Sequence, residues 1–201
     1  MSKQNKRKRN KRKKSLIKAF LLLLFSAIIV CVLGVYGYNQ YVKSTHPLKY
    51  EGIIDKYCSE YGVPKDLIYA TIAVESGFDE NAVSSVGAIG LTQIMPDTLN
   101  WLESKTGEDY TEEDLRNPEI SIKYCAFFYS ILLNKFDSED TAVCAYHAGM
   151  NQVSRWLENS EYSEDGITLT KIPSSATAHY LSKINNARKI YVNLYNEELK
   201  K

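Results

Sequence analysis

The 201-residue sequence lacks the short motifs that bind metal ions. It contains no H-E-x-x-H and no C-x-x-C, which are the spacings that bring zinc ligands together. Its three histidines, His46, His147 and His179, are scattered along the chain. We therefore expect no metal site and no cofactor, so any chemistry must come from ordinary side chains.

The sequence also lacks internal repeats and any sustained alternation of apolar and polar residues. Alternation is typical of half-buried strands, whereas apolar residues spaced three and four apart predict helices. The second pattern dominates, so the predicted fold class is mainly α. Helices are predicted at about 53–61, 64–75, 118–136, 138–148, 151–158 and 175–201, with a helix broken near Pro96 between 91 and 104, and with loops at 76–90 and 159–173.

The first N-terminal segment lacks negative charge, and the next lacks charge of either sign. Residues 1–18 carry ten Lys or Arg and no acid, and residues 19–42 carry no charge at all. About 20 apolar residues in a helix cross the ~30 Å hydrocarbon layer, and a preceding basic flank favours a cytoplasmic N-terminus. We expect a basic cytoplasmic tail (1–18), a transmembrane anchor (19–42), a short linker (43–50) and one extracytoplasmic domain (51–201).

Other interpretations of this N-terminus fit less well. A cleavable signal peptide is disfavoured because the apolar run exceeds about 7–15 residues and no A-x-A site follows. Lipidation of Cys31 is disfavoured because Val30 is larger than the usual preceding residue. A basic tail also occurs in nucleic-acid-binding proteins, but residues 19–201 hold 15 basic and 24 acidic residues. We expect a membrane partner through residues 19–42 and no nucleic acid.

Three cysteines, Cys58, Cys125 and Cys144, fall in apolar helical stretches of the predicted domain. An exported domain permits disulfides, but an odd number leaves at least one thiol free. Buried free thiols are favoured, and a Cys125–Cys144 bridge is the alternative.

One carboxylate falls on an apolar helix face. Ile68, Ile72 and Glu75 are spaced four and three apart, and Ser76-Gly77 follows as a helix end. Burial raises the pKa of a carboxyl group, and the negative end of the helix dipole acts in the same direction. A glutamate that keeps its proton near neutral pH is suited to general acid catalysis. The alternative is an exposed Glu75 beyond the true end of the helix.

The following segment carries a set of motifs in order. AVESGFDENAVSSVGAIGLTQIMPDT, at 73–98, resembles the signature of the soluble lytic transglycosylase (SLT) domain family, a branch of the lysozyme-like superfamily. AYHAG at 145–149 resembles the family's A-Y-N-A-G, and ATAHY at 176–180 resembles its E-T-x-x-Y. The resemblance spans residues 50–195 and keeps the order and approximate separation of these motifs.

The resemblance implies a single lysozyme-like helical domain that cuts peptidoglycan glycan strands between N-acetylmuramic acid and N-acetylglucosamine. In this family one glutamate protonates the glycosidic oxygen and then accepts the proton of the muramic 6-hydroxyl, which gives a 1,6-anhydro product without added water. By motif position, that glutamate is Glu75. Asp79 and Glu80 are close in sequence, but this scheme needs no second carboxylate. Hydrolysis, as in goose-type lysozymes, remains an alternative.

The same motifs indicate residues that bind the substrate. They are Ser84, Gly90, Gln93, Tyr146, His147 and Tyr180. Gly90 lets the backbone approach a sugar closely, and the Gln93 amide can both donate and accept. The two tyrosines can stack on sugars, although aromatic residues at helical spacing more often belong to a core.

Three residues depart from the family pattern: Thr92 replaces a usual Met, Ala176 replaces the Glu of E-T-x-x-Y, and His147 replaces the Asn of A-Y-N-A-G. Imidazole titrates near pH 6.5 when unperturbed, so we expect activity to depend on pH through His147 as well as Glu75. Such departures leave open a weakly catalytic, glycan-binding scaffold module. A thiol peptidase built on Cys144 and His147 is disfavoured, because a cysteine in mid-helix lacks the environment that activates a thiolate.

The anchor implies a place of action. A domain tethered to the bacterial cytoplasmic membrane acts only on nearby cell wall. We expect a local task, such as opening the wall for growth, division or an envelope-spanning machine.

Overall fold

The structure, a computed structural model, describes residues 3–200, with side-chain environments from Lys13 onward except at positions 15 and 19. The chain divides into two compact units at the Thr45–His46 bond. The first unit is one helix, α1 (Lys3–Thr45). Its segment Leu16–Thr45 is long and apolar enough to cross a membrane. This segment contains the anchor predicted at 19–42.

The second unit begins at His46 and is helical. Among the described residues, extended pairing is limited to two isolated bridges. The helices are α2 (Glu51–Tyr61), α3 (Lys65–Glu75), α4 (Pro96–Thr106), a 3-10 helix (Glu112–Arg116), α5 (Pro118–Lys135), α6 (Glu139–Ala148), α7 (Met150–Leu157) and α8 (Ser175–Leu199). The predicted mainly α fold, with one apolar helix before a helical domain, is confirmed.

Most helices begin and end at residues that the sequence predicts. The side chains of Asn117, Ser138 and Ser174 each accept a backbone N–H from the first turn of α5, α6 and α8, respectively. Such bonds satisfy donors that a helix start leaves free. Gly62 follows α2 in the left-handed conformation, with φ of 67°.

The prediction around Pro96 was wrong. We expected a helix from 91 that Pro96 interrupts, but Pro96 is instead the first residue of α4, and residues 91–95 form turns and a bridge. Proline fits this position because its missing N–H would have had no partner in the first helical turn.

The core surrounds α5, which packs against α2, α6 and the 3-10 helix, while α3 packs chiefly against α8. Apolar side chains of α5 are almost fully removed from solvent: Ile122, Tyr124, Cys125, Ala126, Phe128, Tyr129 and Leu132. Each fully buried large side chain contributes about 1.5–3 kcal/mol. α3 also contacts α5, and α8 packs against α6, so the two helices that meet at the candidate site are joined to this core.

The loop between α3 and α4 folds back on itself. Ile89 forms bridges with both Val83 and Ile94. The Ser76 hydroxyl donates to the Leu91 carbonyl at 2.8 Å. The C-terminal end of α3 is therefore tied directly to this loop, which the sequence predicted as irregular.

Residues 46–50, part of the segment predicted as a linker, are bound to the domain. The Tyr195 hydroxyl donates to the His46 carbonyl at 3.0 Å, and the Tyr191 hydroxyl donates to the Pro47 carbonyl at 3.3 Å. Residues 43–45 belong to α1. The segment 43–50 is thus divided between a helix and a stretch held by α8.

The cysteines of the domain are free thiols. Cys58, Cys125 and Cys144 are all buried, and the alternative Cys125–Cys144 bridge is not formed. Burial raises the pKa of Cys144 to about 12. A thiol in this state is not a nucleophile at neutral pH, so the peptidase alternative lacks its reactive group.

Candidate active site

Glu75 is the last residue of α3, as its spacing predicts. Ile68 and Ile72, on the same face, are fully buried at 0% exposure, and Glu75 itself is half-buried. The chain leaves the helix through Gly77, whose φ of 61° suits glycine. The carboxyl group therefore lies at the end of an apolar stripe.

Burial raises the pKa of Glu75 from its ordinary value of 4.5 to about 7. Two neighbours oppose burial, because a hydrogen bond from Tyr180 and the positive charge of Lys183 both lower this pKa. The Tyr180 hydroxyl donates to Oε1 of Glu75 at 2.8 Å. A carboxyl group with this pKa is present in both protonation states at neutral pH, as a group that first gives and then takes a proton requires.

Tyr180 is buried within a layer of aromatic side chains, with 6% exposure. Tyr129 of α5 stacks on Tyr146 with ring centroids 4.5 Å apart, and its hydroxyl lies 3.1 Å from the Thr71 hydroxyl. Burial raises the pKa of all three tyrosines well above the usual range. Tyr180 therefore acts only as a neutral donor to Glu75.

The contacts of Tyr146 are with the protein. Its hydroxyl donates to the Thr92 carbonyl at 2.8 Å, and its ring packs against Phe128 as well as Tyr129. These contacts hold the α3–α4 loop against α5 and α6. Direct contact between Tyr146 and a sugar stays a prediction.

Thr92 gains partners that the sequence did not reveal. It is fully buried, and its hydroxyl lies 2.9 Å from the Ser121 hydroxyl and 3.2 Å from the Ser121 carbonyl. The departure from the family's Met therefore replaces an apolar contact by hydrogen bonds between the loop and α5. Ser121 is 29 residues away, so no local pattern links the two.

His147 lies in the last turn of α6 with its side chain exposed. Its ring stacks on Tyr180, with centroids 4.6 Å apart and planes inclined by 29°. Its Nδ1 lies 3.2 Å from the hydroxyl of Thr177. The structure thus brings His147, Tyr180 and Glu75 together in a row.

Ser84 and Gln93 are bonded within the α3–α4 loop. The Ser84 hydroxyl accepts from the amides of Val86 and Ala88, at 3.3 and 2.9 Å. The Gln93 side chain donates to the carbonyls of Ala82 and Gly90, at 3.1 and 2.9 Å. Both side chains shape the loop, and their contact with substrate stays a prediction.

Gly90 has a packing reason to be glycine. A Cβ atom added there would lie 2.0 Å from the Leu115 carbonyl oxygen, and its φ is 79°. The loop backbone approaches the 3-10 helix too closely for any side chain. Approach of a sugar to Gly90 stays a prediction.

Sequence reasoning missed three residues that support this row. Lys183 lies three positions after Tyr180, so helical spacing from Tyr180 places both on one face of α8. Thr177 lies three positions before Tyr180 on the same face. Tyr129, in contrast, carries no local signal that separates it from other core tyrosines of α5.

An open groove begins beside this row. It has a volume of about 460 Å³ and includes Ala148 and Gly149, which directly follow His147 in the chain. The other lining residues are Asp97, Thr98, Trp101, Phe128, Met150, Asn151, Gln152 and Arg155. Glu75 does not line the groove itself.

The other acids near Glu75 in sequence have partners elsewhere. The Asp79 side chain accepts from the Asn81 amide at 2.9 Å, and Glu80 accepts from the Tyr50 hydroxyl at 3.1 Å. Across the described part of the chain, no three His, Cys, Asp or Glu side chains are grouped as metal ligands. What the arrangement offers is proton transfer by one carboxyl group.

Known proteins with similar sequences include enzymes of one kind. Membrane-bound lytic murein transglycosylase C of Serratia proteamaculans (strain 568) is 30% identical over 177 residues, covering 76% of this chain and 49% of the relative. The protein of the same name from Yersinia pestis (strain Pestoides F) matches to the same extent. The chain spans about half the length of the curated relatives it matches.

Two solved structures have similar folds. An inactive glutamate-to-glutamine mutant of lytic transglycosylase Slt from Pseudomonas aeruginosa has a TM-score of 0.65 at 25% identity, covering 75% of this chain and 25% of that one. The 70 kDa soluble lytic transglycosylase of Escherichia coli has a TM-score of 0.69 at 24% identity, covering 79% and 26%, and shares the fold. The family described as Transglycosylase SLT domain matches residues 52–168. This chain therefore belongs to the transglycosylase SLT domain family.

Proposed function

We propose that this protein is a peptidoglycan lytic transglycosylase that uses Glu75 as its general acid and base. It cleaves the β-1,4 bond between N-acetylmuramic acid and N-acetylglucosamine and leaves a 1,6-anhydro-muramic end. The observation that carries the proposal is the half-buried Glu75 carboxyl group, which has a pKa of about 7 and accepts a 2.8 Å hydrogen bond from Tyr180.

The proton balance closes with this one residue. Neutral Glu75 gives its proton to the glycosidic oxygen as the bond to the anomeric carbon of muramic acid breaks. The 6-hydroxyl oxygen of the same sugar then bonds to that carbon and returns its proton to the Glu75 carboxylate. Because the nucleophile is part of the substrate, neither water nor the second carboxylate of ordinary glycosidases is needed.

The hydrogen bond from Tyr180 helps Glu75 both to give its proton and to take it back. Its hydroxyl donates to Oε1 and so stabilises the carboxylate that exists between the two proton transfers. Burial stabilises the protonated state that begins the cycle. The two effects place the pKa of Glu75 between those of an exposed glutamate and a fully buried one.

The groove beside His147 suits the rest of a glycan strand. Trp101 supplies an aromatic ring, and Asn151 and Gln152 supply amides, which are groups that bind sugars. The loop residues Ser84 and Gln93 lie in the motif that the family shares, and we include them in the substrate-binding set with Gly90, Tyr146, His147 and Tyr180.

The similar proteins support this function and a membrane location. The two curated relatives are named membrane-bound lytic murein transglycosylases, and murein is peptidoglycan. In the Pseudomonas aeruginosa neighbour, a glutamate-to-glutamine mutant is inactive. Residues 16–45 of this chain form a helix that can cross a membrane. We infer a bacterial cytoplasmic membrane protein with its N-terminus in the cytoplasm and its catalytic domain outside.

The test is mass spectrometry of muropeptides released from purified peptidoglycan by the full chain in detergent. We expect 1,6-anhydro products, and we expect Glu75→Gln to abolish them while the folded domain persists. Reducing ends in place of anhydro ends would mean hydrolysis of the goose-lysozyme type. Glycan binding without any product would identify a scaffold module. A fully active Glu75→Gln variant would exclude the assignment of the acid.

The location has its own test. A variant that lacks residues 1–42 and is exported by other means should fail to replace the anchored protein in cells. Full replacement would show that anchoring does not restrict the site of action.

A further inference from the structure

A row of four side chains connects the acid with His147 at the surface and with buried Thr177. Tyr180 donates to Glu75 at 2.8 Å, His147 stacks on Tyr180 at 4.6 Å, and Nδ1 of His147 lies 3.2 Å from the Thr177 hydroxyl. Glu75 comes from α3, His147 from α6, and the other two from α8. The row therefore joins three helices.

The position of the phenol hydroxyl depends on the tilt of its ring. A tyrosine hydroxyl lies in the ring plane, so a neighbour that packs on the ring face also directs the hydroxyl. Catalytic groups must be held within about 0.5 Å and 10–20° of their productive geometry. His147 is the group stacked on Tyr180, and the hydroxyl of buried Thr177 holds the imidazole by its Nδ1.

We propose that His147 is a positioning residue for Glu75 that acts through Tyr180, and that protonation of His147 switches the row to a less active state. This inference rests on the proposed acid role of Glu75. It gives a function to the histidine that stands where the family pattern has asparagine, a residue that does not titrate.

His147 acts on Glu75 only through Tyr180. From α8 it contacts the Tyr180 ring and the Thr177 hydroxyl. Glu75 of α3 accepts from the hydroxyl of the same Tyr180, and Lys183 of α8 is close enough to influence Glu75. A positive imidazolium makes the phenol a stronger donor and favours the carboxylate form of Glu75. This effect lowers the pKa of Glu75, but the protonated fraction of Glu75 still rises as the pH falls. The loss of activity at acidic pH therefore comes from the changed contacts of the His147 ring with Thr177 and Tyr180.

Protonation also changes the bond to Thr177. In the neutral ring Nδ1 can accept from the Thr177 hydroxyl, whereas both imidazolium nitrogens are donors. The hydroxyl must then turn away or accept. Either change alters the contact that holds the ring against Tyr180.

Glu75 and His147 take up protons at different pH values. His147 is exposed, but the loss of water where its ring packs on Tyr180 lowers its pKa below the ordinary value of 6.5, whereas burial raises that of Glu75 to about 7. As the pH falls, Glu75 gains its proton first and His147 gains its own later. Activity should therefore rise as Glu75 becomes protonated and fall again as His147 becomes charged.

The experiment compares pH profiles of kcat and KM for the full chain in detergent, acting on soluble uncrosslinked glycan strands. The variant is His147→Asn, and the matched control is His179→Asn, which removes an exposed histidine from α8. Wild type and control should lose kcat on the acidic side, by up to roughly tenfold per pH unit below the His147 midpoint. His147→Asn should lose less than about twofold there, and its alkaline limb, which reports Glu75, should stay at the pH of the wild-type limb.

A second measurement uses the wild-type protein. Because the chain has only three histidines, NMR of the full chain with labelled histidine resolves His147 by comparison with His147→Asn. The His147 ring should titrate at the pH where kcat falls on the acidic side.

The outcomes separate this inference from the proposed function. If wild type makes no anhydro product, or Glu75→Gln stays active, the proposed function fails. If Glu75→Gln is inactive but His147→Asn keeps the acidic limb of wild type, only the role of His147 is overturned. A His147 midpoint far from that limb overturns it equally, without any variant.

Discussion

Replacement of Glu75 by glutamine should stabilise the domain at neutral and alkaline pH and leave it unchanged at acidic pH. Glutamine has nearly the same size as glutamate and keeps an oxygen that can accept the hydrogen bond from Tyr180. It differs in one respect, because it never ionises. The comparison therefore isolates the free energy of keeping a charged carboxylate at the end of α3.

The magnitude follows from the pKa of Glu75. Burial raises it from 4.5 to about 7, which corresponds to about 3 kcal/mol. The folded state therefore binds more protons than the unfolded state between these pKa values, so the free energy of unfolding falls as the pH rises through them. Below the lower pKa, Glu75 is neutral in both the folded and the unfolded state, so wild type loses no stability. Above the upper pKa, the full cost of the buried carboxylate lowers the stability of wild type but not of Glu75→Gln.

Thermal unfolding followed by tryptophan fluorescence measures this difference. Both tryptophans, Trp101 and Trp156, lie in the unit that begins at His46, so the signal excludes α1. For a domain of this size, about 3 kcal/mol raises Tm by about 6–12 °C. We expect this gain for Glu75→Gln near pH 8 and none near pH 4.

The control is Glu164→Gln, which removes one negative charge from an exposed loop position. Exposed charges contribute little to stability, so this variant should follow wild type at both pH values. If the Tm gain of Glu75→Gln were equal near pH 4 and pH 8, or larger near pH 4, the conclusion that burial raises the pKa of Glu75 would be refuted.

Three further predictions concern the surroundings of the acid. Tyr180→Phe removes a hydrogen bond that lowers the pKa of Glu75, so the alkaline limb of a pH–rate profile should move up by about one pH unit, and an unmoved limb would contradict this role. Gly90→Ala should lower Tm by about 10 °C or more because its Cβ meets a backbone carbonyl at 2.0 Å, while Gly87→Ala, with open space and φ of 91°, should have a much smaller effect. Arg188→Met should destabilise the domain by about 2–4 kcal/mol in chemical denaturation, since two partly buried carboxylates lose their partner, and equal stability would remove that ion pair as a support of α8.

Local signals in the sequence sufficed for most helices and for the position of Glu75. The spacing of Ile68, Ile72 and Glu75 depends on residues within two turns, and the structure has them on one face of α3. Capping at Asn117 and Ser138 likewise depends on neighbours two or three residues away. The prediction at Pro96 was wrong because a proline can either interrupt a helix or occupy its first turn. Only the packing of the preceding loop decides between these two positions.

Contacts between distant segments could not be derived from such signals. Tyr180 and Glu75 are 105 residues apart, and only the motif resemblance put them in one site. The stacking of His147 on Tyr180 and the bonds between Thr92 and Ser121 occur where the chain departs from the family pattern, so the resemblance gave no information about them. The substrate contacts predicted for Ser84, Gly90 and Gln93 remain predictions, since their observed contacts lie within the protein.

The acid depends on how α8 lies against α3. Tyr180, which opposes the effect of burial on the pKa of Glu75, belongs to α8, while Glu75 ends α3. A second link joins the same helices, because Arg188 of α8 donates to Asp66 in the first turn of α3 at 2.7 Å. Asp66 and Glu75 are nine positions apart along α3, and their partners Arg188 and Tyr180 are eight positions apart along α8 in the opposite direction. Both contacts therefore fit two antiparallel helices with the same rise per residue. A change that shifts α8 along α3 must therefore alter the hydrogen bond to the acid and the ion pair together, and activity should be lost before the helices separate.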